Sequence, residues 1–187
     1  MSQSQKEIRQ AARNARAALS NEERDVRSGL IREKVISSSW FRRAEYIACY
    51  LPSADEVNTW EIISRAWVMK KRVFVPVIGK NSYMQFQEIT AETELRRNRF
   101  GLFEPNDGEI VSTRMLDVVL APLVAFDDNN NRVGMGGGYF DRTFSFLRHR
   151  DAWTRPKIIG LAFSCQKVEK IPPNPWDIRL FCAVTDR

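Results

Sequence analysis

A glycine-rich segment, GMGGGYFDR at residues 134–142, contains the residue types best suited to binding an anion. Four of the nine glycines of the chain fall within five consecutive positions, at Gly134, Gly136, Gly137 and Gly138. Because glycine tolerates positive φ and has no side chain, a phosphate could approach the backbone N–H groups closely. The segment lacks the Gly-Lys-Ser/Thr of a Walker A loop, and Tyr139 stands where the dinucleotide-binding fingerprint requires a third glycine. It predicts a different phosphate loop, or else a flexible surface connection.

Three residues that could contact a ligand follow the glycines: Tyr139, Phe140 and Asp141. The rings could stack on a planar ligand, and the carboxylate could coordinate a cation. They favour a ligand site, because flexible linkers are usually polar and rich in glycine and serine. Asp141 would also lie in the first turn of a helix that we expect from about Phe140 to Arg150, where the helix dipole alone stabilises a carboxylate. Metal binding and this simpler role of Asp141 are both open at this point.

A second cationic feature lies near the N-terminus. Lys6, Arg9, Arg13 and Arg16 are spaced by three, four and three residues, which on a helix places them within an arc of about 80°. Such a basic stripe could bind a polyanionic ligand or RNA, or it could be a solvated helix face. The net charge of +6 favours an anionic partner without choosing among these. Nucleic acid is the less favoured partner, because the chain shows no aromatic-studded strand pair of the RNA-binding kind.

Composition excludes several other classes of protein. With 187 residues, 43% of them hydrophobic, the chain predicts a single domain over 1–187 with a sizeable core. No apolar run is long enough to span a membrane, and Lys6 and Arg9 stand where a signal peptide would be apolar, so we expect a cytoplasmic protein. Three cysteines, Cys49, Cys165 and Cys182, are far apart and lack C-x-x-C spacing, so neither a disulfide framework nor a zinc site is indicated.

Two helices with serine start signals are expected to open the chain. Ser4 and Ser20 are each followed three residues later by glutamate, the pattern of a capping box, and the helices should end near Leu19 and Trp40. Strand-like runs then alternate with helical ones. The apolar and β-branched runs are residues 46–51, 72–78, 82–89, 116–126 and 157–163, and the helical run between the first two is 59–70.

This order of elements predicts the fold class. Strands that alternate with helices favour an α/β protein with an open, mostly parallel, doubly wound (Rossmann-like) sheet flanked by helices, preceded here by two N-terminal helices. In such sheets, ligands bind beyond the carboxyl ends of the strands, which is where the glycine-rich segment would lie. Residues 96–115 form the longest irregular stretch, and long irregular stretches in compact domains are often functional.

Four segments in a fixed order give a family resemblance. They are YLPSADEV (50–57), RFGLFEP (99–105), LAPLVAFDDNNNRVGMGGGYFDR (120–142) and PWDIRL (175–180). With them the chain resembles the 5-formyltetrahydrofolate cyclo-ligase family, also called methenyltetrahydrofolate synthetase, over nearly its whole length. The resemblance implies a similar α/β fold and an enzyme that uses ATP and Mg²⁺ to convert 5-formyltetrahydrofolate into 5,10-methenyltetrahydrofolate. The alternative is a folate- or nucleotide-binding relative without turnover, and the intact loop and Asp141 argue against it.

The implied reaction needs no nucleophile from the protein. The formyl oxygen attacks the γ-phosphate of ATP, N10 closes onto the activated carbon, and phosphate leaves, so the protein mainly positions the reactants and stabilises charge. A chain without a Ser-His-Asp or Cys-His set fits this chemistry.

The resemblance also assigns residues, carried over by position. Contacts to ATP fall on Lys6, Glu7, Ile8, Arg9, Gln10, Arg132, Val133, Gly134, Met135, Gly136, Gly137, Gly138, Tyr139 and Phe140. Contacts to the reduced folate fall on Leu51, Glu56, Met135, Gly136, Gly137, Gly138 and Tyr139. Asp141 and Asp177 would bind Mg²⁺, and Arg132, Tyr139 and Asp141 would be catalytic.

The chain departs from the family pattern at two positions in the loop. Asn131 stands where glycine is frequent, a change that is acceptable if positive φ is needed there, because asparagine adopts it more readily than most residues. Phe140 stands where tyrosine is common, which removes a hydroxyl group. Three tryptophans, Trp60, Trp67 and Trp176, are expected to pack in the core.

Overall fold

The structure is a computed structural model of the chain, and it describes residues 4–79, 83–98, 101, 103–149 and 154–187. Its α-helices are α1 (Gln5–Ala17), α2 (Asn21–Ser37), α3 (Ser39–Arg43), α4 (Trp60–Val68) and α5 (Tyr139–Thr143). Its strands are β1 (Tyr46–Cys49), β2 (Arg72–Ile78), β3 (Met84–Ile89), β4 (Leu95–Arg97), β5 (Phe103–Pro105), β6 (Ile110–Val111), β7 (Val118–Pro122), β8 (Ala125–Phe126), β9 (Arg132–Val133), β10 (Lys157–Leu161) and β11 (Cys182–Val184). Parts of three predicted segments lie outside the described residues: residue 82 of the run 82–89, residues 99, 100 and 102 of the motif 99–105, and residue 150 of the helix expected to end there.

Both predicted capping boxes are present. The Ser4 hydroxyl accepts the Glu7 N–H while the Glu7 carboxylate accepts the Ser4 N–H, and Ser20 and Glu23 repeat the arrangement. The second helix stops at Ser37, short of the expected Trp40, because the backbone of Ser38 is extended and its hydroxyl caps α3. The predicted second helix is therefore two helices.

A seven-stranded sheet forms the centre of the molecule, in the order β11-β10-β7-β1-β2-β3-β6. The first five strands of this order are mutually parallel. Strand β3 then pairs antiparallel to β2, and β6 pairs antiparallel to β3. This confirms the predicted open, mostly parallel α/β sheet. Strands β6 and β11 were not predicted, because runs of two and three residues give too little pattern to recognise.

Helices and loops cover both faces of this sheet. Along β1, Ile47 and Cys49 point into an apolar cluster shared with α2, α3 and α4, whereas Ala48 points into a second cluster shared with Phe144 and Leu147. This alternation follows from the two-residue period of a strand. A third cluster joins α1 to the short β8–β9 hairpin. The sheet is thus buried on both sides, as a doubly wound sheet requires.

The strand order changes direction beside β1. The chain passes from β1 to β2 on one side of β1 and later returns to β7 on the other. Parallel α/β sheets open a crevice at the carboxyl ends of strands where such a reversal occurs. The sequence therefore predicts the correct sheet type, and the strand order places the crevice between β1 and β7.

Two predicted elements near the glycine segment differ in detail. The apolar run 116–126 is not one strand: it forms β7 and then β8, with residues 123–124 between them. The expected helix from about Phe140 is only the five-residue α5, followed by a 3₁₀ helix, Ser145–Arg148. The sequence could not distinguish an α-helix from a 3₁₀ helix here. The two buried apolar residues, Phe144 and Leu147, are three positions apart, and that spacing suits either kind of helix. Within the described residues no helix is long and apolar enough to cross a membrane.

Candidate active site

A cavity of about 290 Å³ lies at the carboxyl ends of the parallel strands. Cys49 and Tyr50 line it from the end of β1, and Leu120 and Pro122 line it from β7. The cavity therefore occupies the crevice that the strand order predicts. Sequence reasoning did not name these wall residues, because apolar residues at strand ends look like ordinary core positions until the order of the strands is known.

The glycine segment lines this cavity from Gly134 to Asp141, that is, along all of its length except Arg142. Gly136 has a φ of 102° and Gly138 a φ of 65°, so these two positions need glycine for their backbone conformation. Gly138 is also the N-cap of α5. The expected helix dipole contributes little here, because a helix of five residues aligns few peptide groups.

Alanine substitutions should separate the glycines that the fold requires from the others. Gly138→Ala is expected to lower stability by about 1 kcal/mol, since an L-residue resists positive φ. Its Cβ would also lie 2.7 Å from Nη1 of Arg142, which would have to move. Gly134→Ala is the matched control: its Cβ meets no atom within 4 Å, and its stability should stay within about 0.5 kcal/mol of wild type. Urea unfolding of both variants measures this, and equal losses would contradict the conformational argument.

An ion pair between Arg132 and Asp141 of the glycine segment lies in the cavity wall. Arg132 Nη2 donates to Asp141 Oδ1 at 2.7 Å, and the same oxygen accepts the Ile178 N–H at 3.0 Å. Arg132 Nη1 donates to the carbonyl oxygen of Ile178, and its guanidinium lies 4.5 Å from the centre of the Phe140 ring. The Arg132 side chain is only 5% exposed, compared with 21% for Asp141. The pair is therefore held in one geometry, with the carboxylate partly open to the cavity.

Asp177, the second predicted metal ligand, lines the same cavity. Its Oδ2 accepts the Asn174 N–H at 2.8 Å, and its own N–H donates to the Asn174 carbonyl at 3.1 Å. Mg²⁺ is commonly held by one or two carboxylates together with substrate phosphates and water. Among the described residues, no group of three or more histidine, cysteine, aspartate and glutamate side chains could bind a metal alone. Two carboxylates facing one cavity suit an Mg²⁺ that arrives with a phosphate ligand.

Helix α1 holds the glycine segment through its arginines. Arg9 lines the cavity and its Nε donates to the Gly134 carbonyl at 2.9 Å, while Arg13 Nη2 lies 3.4 Å from Sδ of Met135. Arg16 is buried and pairs with Asp55 at 2.6 Å. The basic stripe is therefore not one solvated face. Sequence periodicity showed that these side chains share a helix face, but only the packing shows what that face meets.

The remaining residues of the predicted N-terminal ATP segment are either exposed to solvent or buried away from the cavity. Lys6, Glu7 and Gln10 are exposed and do not line the cavity. Ile8 is buried and anchors α1 in the cluster that it shares with the β8–β9 hairpin. Gln5, which was not predicted, lines the cavity, and its Nε2 donates to the Pro172 carbonyl at 3.0 Å. The segment meets the cavity through Gln5 and Arg9.

Two predicted folate contacts, Leu51 and Glu56, do not line the cavity. Leu51 packs against the apolar cluster beneath α2 and α4. Glu56 accepts the Ser53 N–H at 3.0 Å and lines a second, more open depression of about 410 Å³, together with Trp60. The structure therefore does not bring these two residues together with the glycine segment, and their role stays a prediction.

The possible nucleophiles in the cavity wall are protonated at neutral pH. Burial raises the pKa of the Cys49 thiol to about 12. Burial, and then the nearby charge of Glu56, raises the pKa of Tyr50 well above its usual value, and its hydroxyl donates to the Val57 carbonyl at 3.0 Å. Neither residue provides the anion that nucleophilic attack requires, which agrees with chemistry that needs no protein nucleophile.

The structure corrects three interpretations of single residues. Trp176 is 56% exposed and lines the cavity, and Trp60 is 37% exposed, so their assignment to the core was wrong; the proline-flanked turn and the helix start that carry them lie at the surface. Trp67 does pack against the core, and its Nε1 donates to the Ile89 carbonyl. Asn131 does not use positive φ, which falls on Asn130 instead. Its side-chain amide donates to Asp127 Oδ2 at 2.9 Å, a hydrogen bond that the sequence did not reveal.

An open, mostly parallel sheet with a glycine-rich segment and two carboxylates lining the cavity at its switch point is the architecture of an open-sheet α/β enzyme. The chain belongs to the 5-formyltetrahydrofolate cyclo-ligase family, whose model matches residues 1–186. A 5-formyltetrahydrofolate cyclo-ligase of Haemophilus influenzae is 33% identical over 183 residues, with 96% of each chain covered. One of Escherichia coli K12 is 38% identical over 146 residues, covering 76% of this chain and 78% of that protein. The NMR structure of Aquifex aeolicus 5,10-methenyltetrahydrofolate synthetase superposes with a TM-score of 0.84 at 27% identity, covering 98% of this chain and 90% of that one.

Proposed function

We propose that this chain converts 5-formyltetrahydrofolate and ATP into 5,10-methenyltetrahydrofolate, ADP and phosphate. The observation that supports it best is the meeting of the glycine segment, the Arg132–Asp141 pair and α1 in one cavity, in a chain of this family. Glycine N–H groups and arginines suit the phosphates of ATP. The apolar wall residues Tyr50, Pro122 and Phe86 suit the ring system of the folate.

The bonds made and broken balance without a protein nucleophile. The formyl oxygen attacks the γ-phosphorus and ADP departs, which leaves the oxygen phosphorylated and the carbon bonded to it electrophilic. N10 then forms the new bond to that carbon, loses its proton, and inorganic phosphate leaves with the former formyl oxygen. Phosphorylation turns a poor leaving group into a good one, so the protein's contribution is the alignment of the reactants and the stabilisation of charge.

Arg132 is the residue best placed to stabilise the transferring phosphoryl group. Its guanidinium is buried in the cavity wall, fixed by Asp141 and the Ile178 carbonyl and stacked on Phe140. A donor fixed before the reaction starts needs no reorganisation as negative charge develops. Arg9 acts through the loop, because its bond to the Gly134 carbonyl holds the glycine segment in place. Tyr139 faces the cavity with its ring 5.4 Å from the Arg142 guanidinium, and we assign it to folate and ATP positioning.

Asp141 and Asp177 are the residues that would hold Mg²⁺, which when bound neutralises charge on the ATP phosphates. Asp141 has a second role in either case, since it orients Arg132. Leu51 and Glu56 are proposed to contact the folate. Because they lie outside the cavity, this assignment requires the folate to extend from the cavity towards the depression beside Glu56.

A direct assay tests the proposal. Purified protein given 5-formyltetrahydrofolate, ATP and Mg²⁺ should form the methenyl chromophore and release ADP in equal amounts, and omission of ATP should abolish both. A non-hydrolysable ATP analogue is the matched control, because it should bind without supporting turnover. Folded wild-type protein that forms neither product under these conditions would overturn the proposal.

A further inference from the structure

Trp176 exposes an unusually large apolar ring at a functional cavity. It is 56% exposed and lines the same cavity as the glycine segment. Among the tryptophans of the described residues it has the largest exposed fraction, followed by Trp60 at 37%. An exposed tryptophan at the surface of a binding cavity is a stacking surface that a planar ligand can cover.

The segment that carries Trp176 is held in place before any ligand arrives. A turn from Asn174 to Asp177 is closed by three hydrogen bonds between these residues: the Asp177 N–H donates to the Asn174 carbonyl, and the Asp177 carboxylate accepts from the N–H and the side-chain amide of Asn174. Proline at 173 and 175 fixes φ on either side of Asn174. Gln5 of α1 binds the Pro172 carbonyl and ties the segment to the helix. Little conformational freedom is therefore left to lose when a ligand stacks on the ring.

A second exposed apolar side chain lines the same cavity. Met135 is 63% exposed and stands within the glycine segment, beside Arg13. Methionine is flexible and polarisable, so it adapts to the face or edge of an aromatic ring. Trp176 and Met135 together offer one rigid and one adaptable apolar surface.

The neighbours of Trp176 indicate which ring it meets. The cavity wall formed by β1, β2 and β3 carries Tyr50, Pro76 and Phe86, and it suits the folate. Trp176 adjoins Asp177, the candidate Mg²⁺ ligand, and its segment is tied to α1, which supplies Arg9. This is the side of the cavity where charged groups face the triphosphate in the proposed function.

We propose that Trp176, assisted by Met135, stacks on the adenine base of ATP. The inference rests on the proposed function, since it takes the ligand on this side of the cavity to be a nucleotide. A stacked base is held by its π-face, which contributes about as much for one base as for another. Trp176 is therefore a binding residue for the nucleotide and takes no part in the bond changes.

The test compares Trp176→Ala with Trp176→Phe by calorimetric titration of ADP in the presence of Mg²⁺ and by steady-state kinetics. In Trp176→Ala we expect the dissociation constant of ADP and the KM for ATP to rise about tenfold or more, with the KM for 5-formyltetrahydrofolate unchanged. Trp176→Phe should recover most of the loss, because a ring is restored. The thermal midpoint should hardly change, because Trp176 is largely exposed.

Phe181→Ala is the matched control, an exposed aromatic residue that does not line the cavity, and it should leave all three constants unchanged. Unchanged ADP affinity in Trp176→Ala would overturn the inference, and so would a loss confined to the KM for the folate. If the wild-type protein turns over and the Trp176→Ala variant has the same constants, this inference alone is refuted. Wild-type protein that neither binds ADP nor turns over refutes the proposed function as well.

Discussion

Asp141→Asn is expected to slow formation of the methenyl product about 100-fold, or about 2.7 kcal/mol in activation free energy. The neutral amide removes a candidate Mg²⁺ ligand and also removes the counter-charge that orients Arg132 across 2.7 Å. The measurement is the initial rate of chromophore formation at saturating ATP and folate. Asparagine is nearly isosteric, so the loss reports the charge rather than the shape of the side chain.

The fold should survive this substitution. The amide oxygen can still accept the Ile178 N–H, and Arg132 still donates to the Ile178 carbonyl, so a stability cost of about 1 kcal/mol is expected. A protein stable by several kcal/mol stays almost fully folded after such a loss, so the loss of rate reports the site.

Asp128→Asn is the matched control for Asp141→Asn. Its side chain is 77% exposed and pairs with Lys167 at the surface. Turnover by this variant should match the wild type. If Asp141→Asn retains a rate within about threefold of wild type, Asp141 neither binds the metal nor orients Arg132 for the reaction.

Asp127→Ala is expected to destabilise the protein by about 3 kcal/mol or more. Asp127 is 1% exposed, and its carboxylate accepts four hydrogen bonds: from the N–H groups of Asn129, Asn131 and Ile171 and from the side-chain amide of Asn131. Alanine would leave the buried N–H groups of Asn131 and Ile171 without this acceptor, at about 1–3 kcal/mol each. Asparagine cannot substitute, because its NH₂ group would face another donor. Urea unfolding measures the loss, with Asp128→Ala as the exposed control.

The cost of Asp127→Ala should depend on pH. Burial alone would raise the pKa of Asp127, but the hydrogen bonds from Asn131, Ile171 and Asn129 lower it below its usual range. A carboxyl group with a lowered folded-state pKa adds stability above its unfolded pKa of about 3.9, and that stability disappears as pH falls through the folded-state value. The difference between wild type and Asp127→Ala should therefore be full at pH 7 and shrink below about pH 4. A difference that grew on acidification would contradict this assignment.

The sequence predicted those elements that local signals define. Ser4 with Glu7 and Ser20 with Glu23 form capping boxes because both partners lie within one helical turn. Strand β2 was predicted over residues 72–78 and observed over the same residues, because its β-branched run is bounded by clear breaks. Strand β11 was missed, since three residues become a strand only by pairing with β10. The length of a helix or strand was hardest to predict where that length depends on a distant partner.

The site divides in the same way. The sequence alone determined the glycine segment, with its aromatic pair and Asp141, the shared face of the α1 arginines, and membership of the family, because each depends on residues close together in the chain or on a fixed order of motifs. Only the tertiary structure decided that Arg9 holds Gly134 across 125 positions and that Ile178 completes the Arg132–Asp141 pair. It also decided that Trp176 faces the cavity while Glu56 lies beside a separate depression. The physical reason is that contacts between residues far apart in the chain follow from how the sheet and helices pack, and no local pattern records that packing.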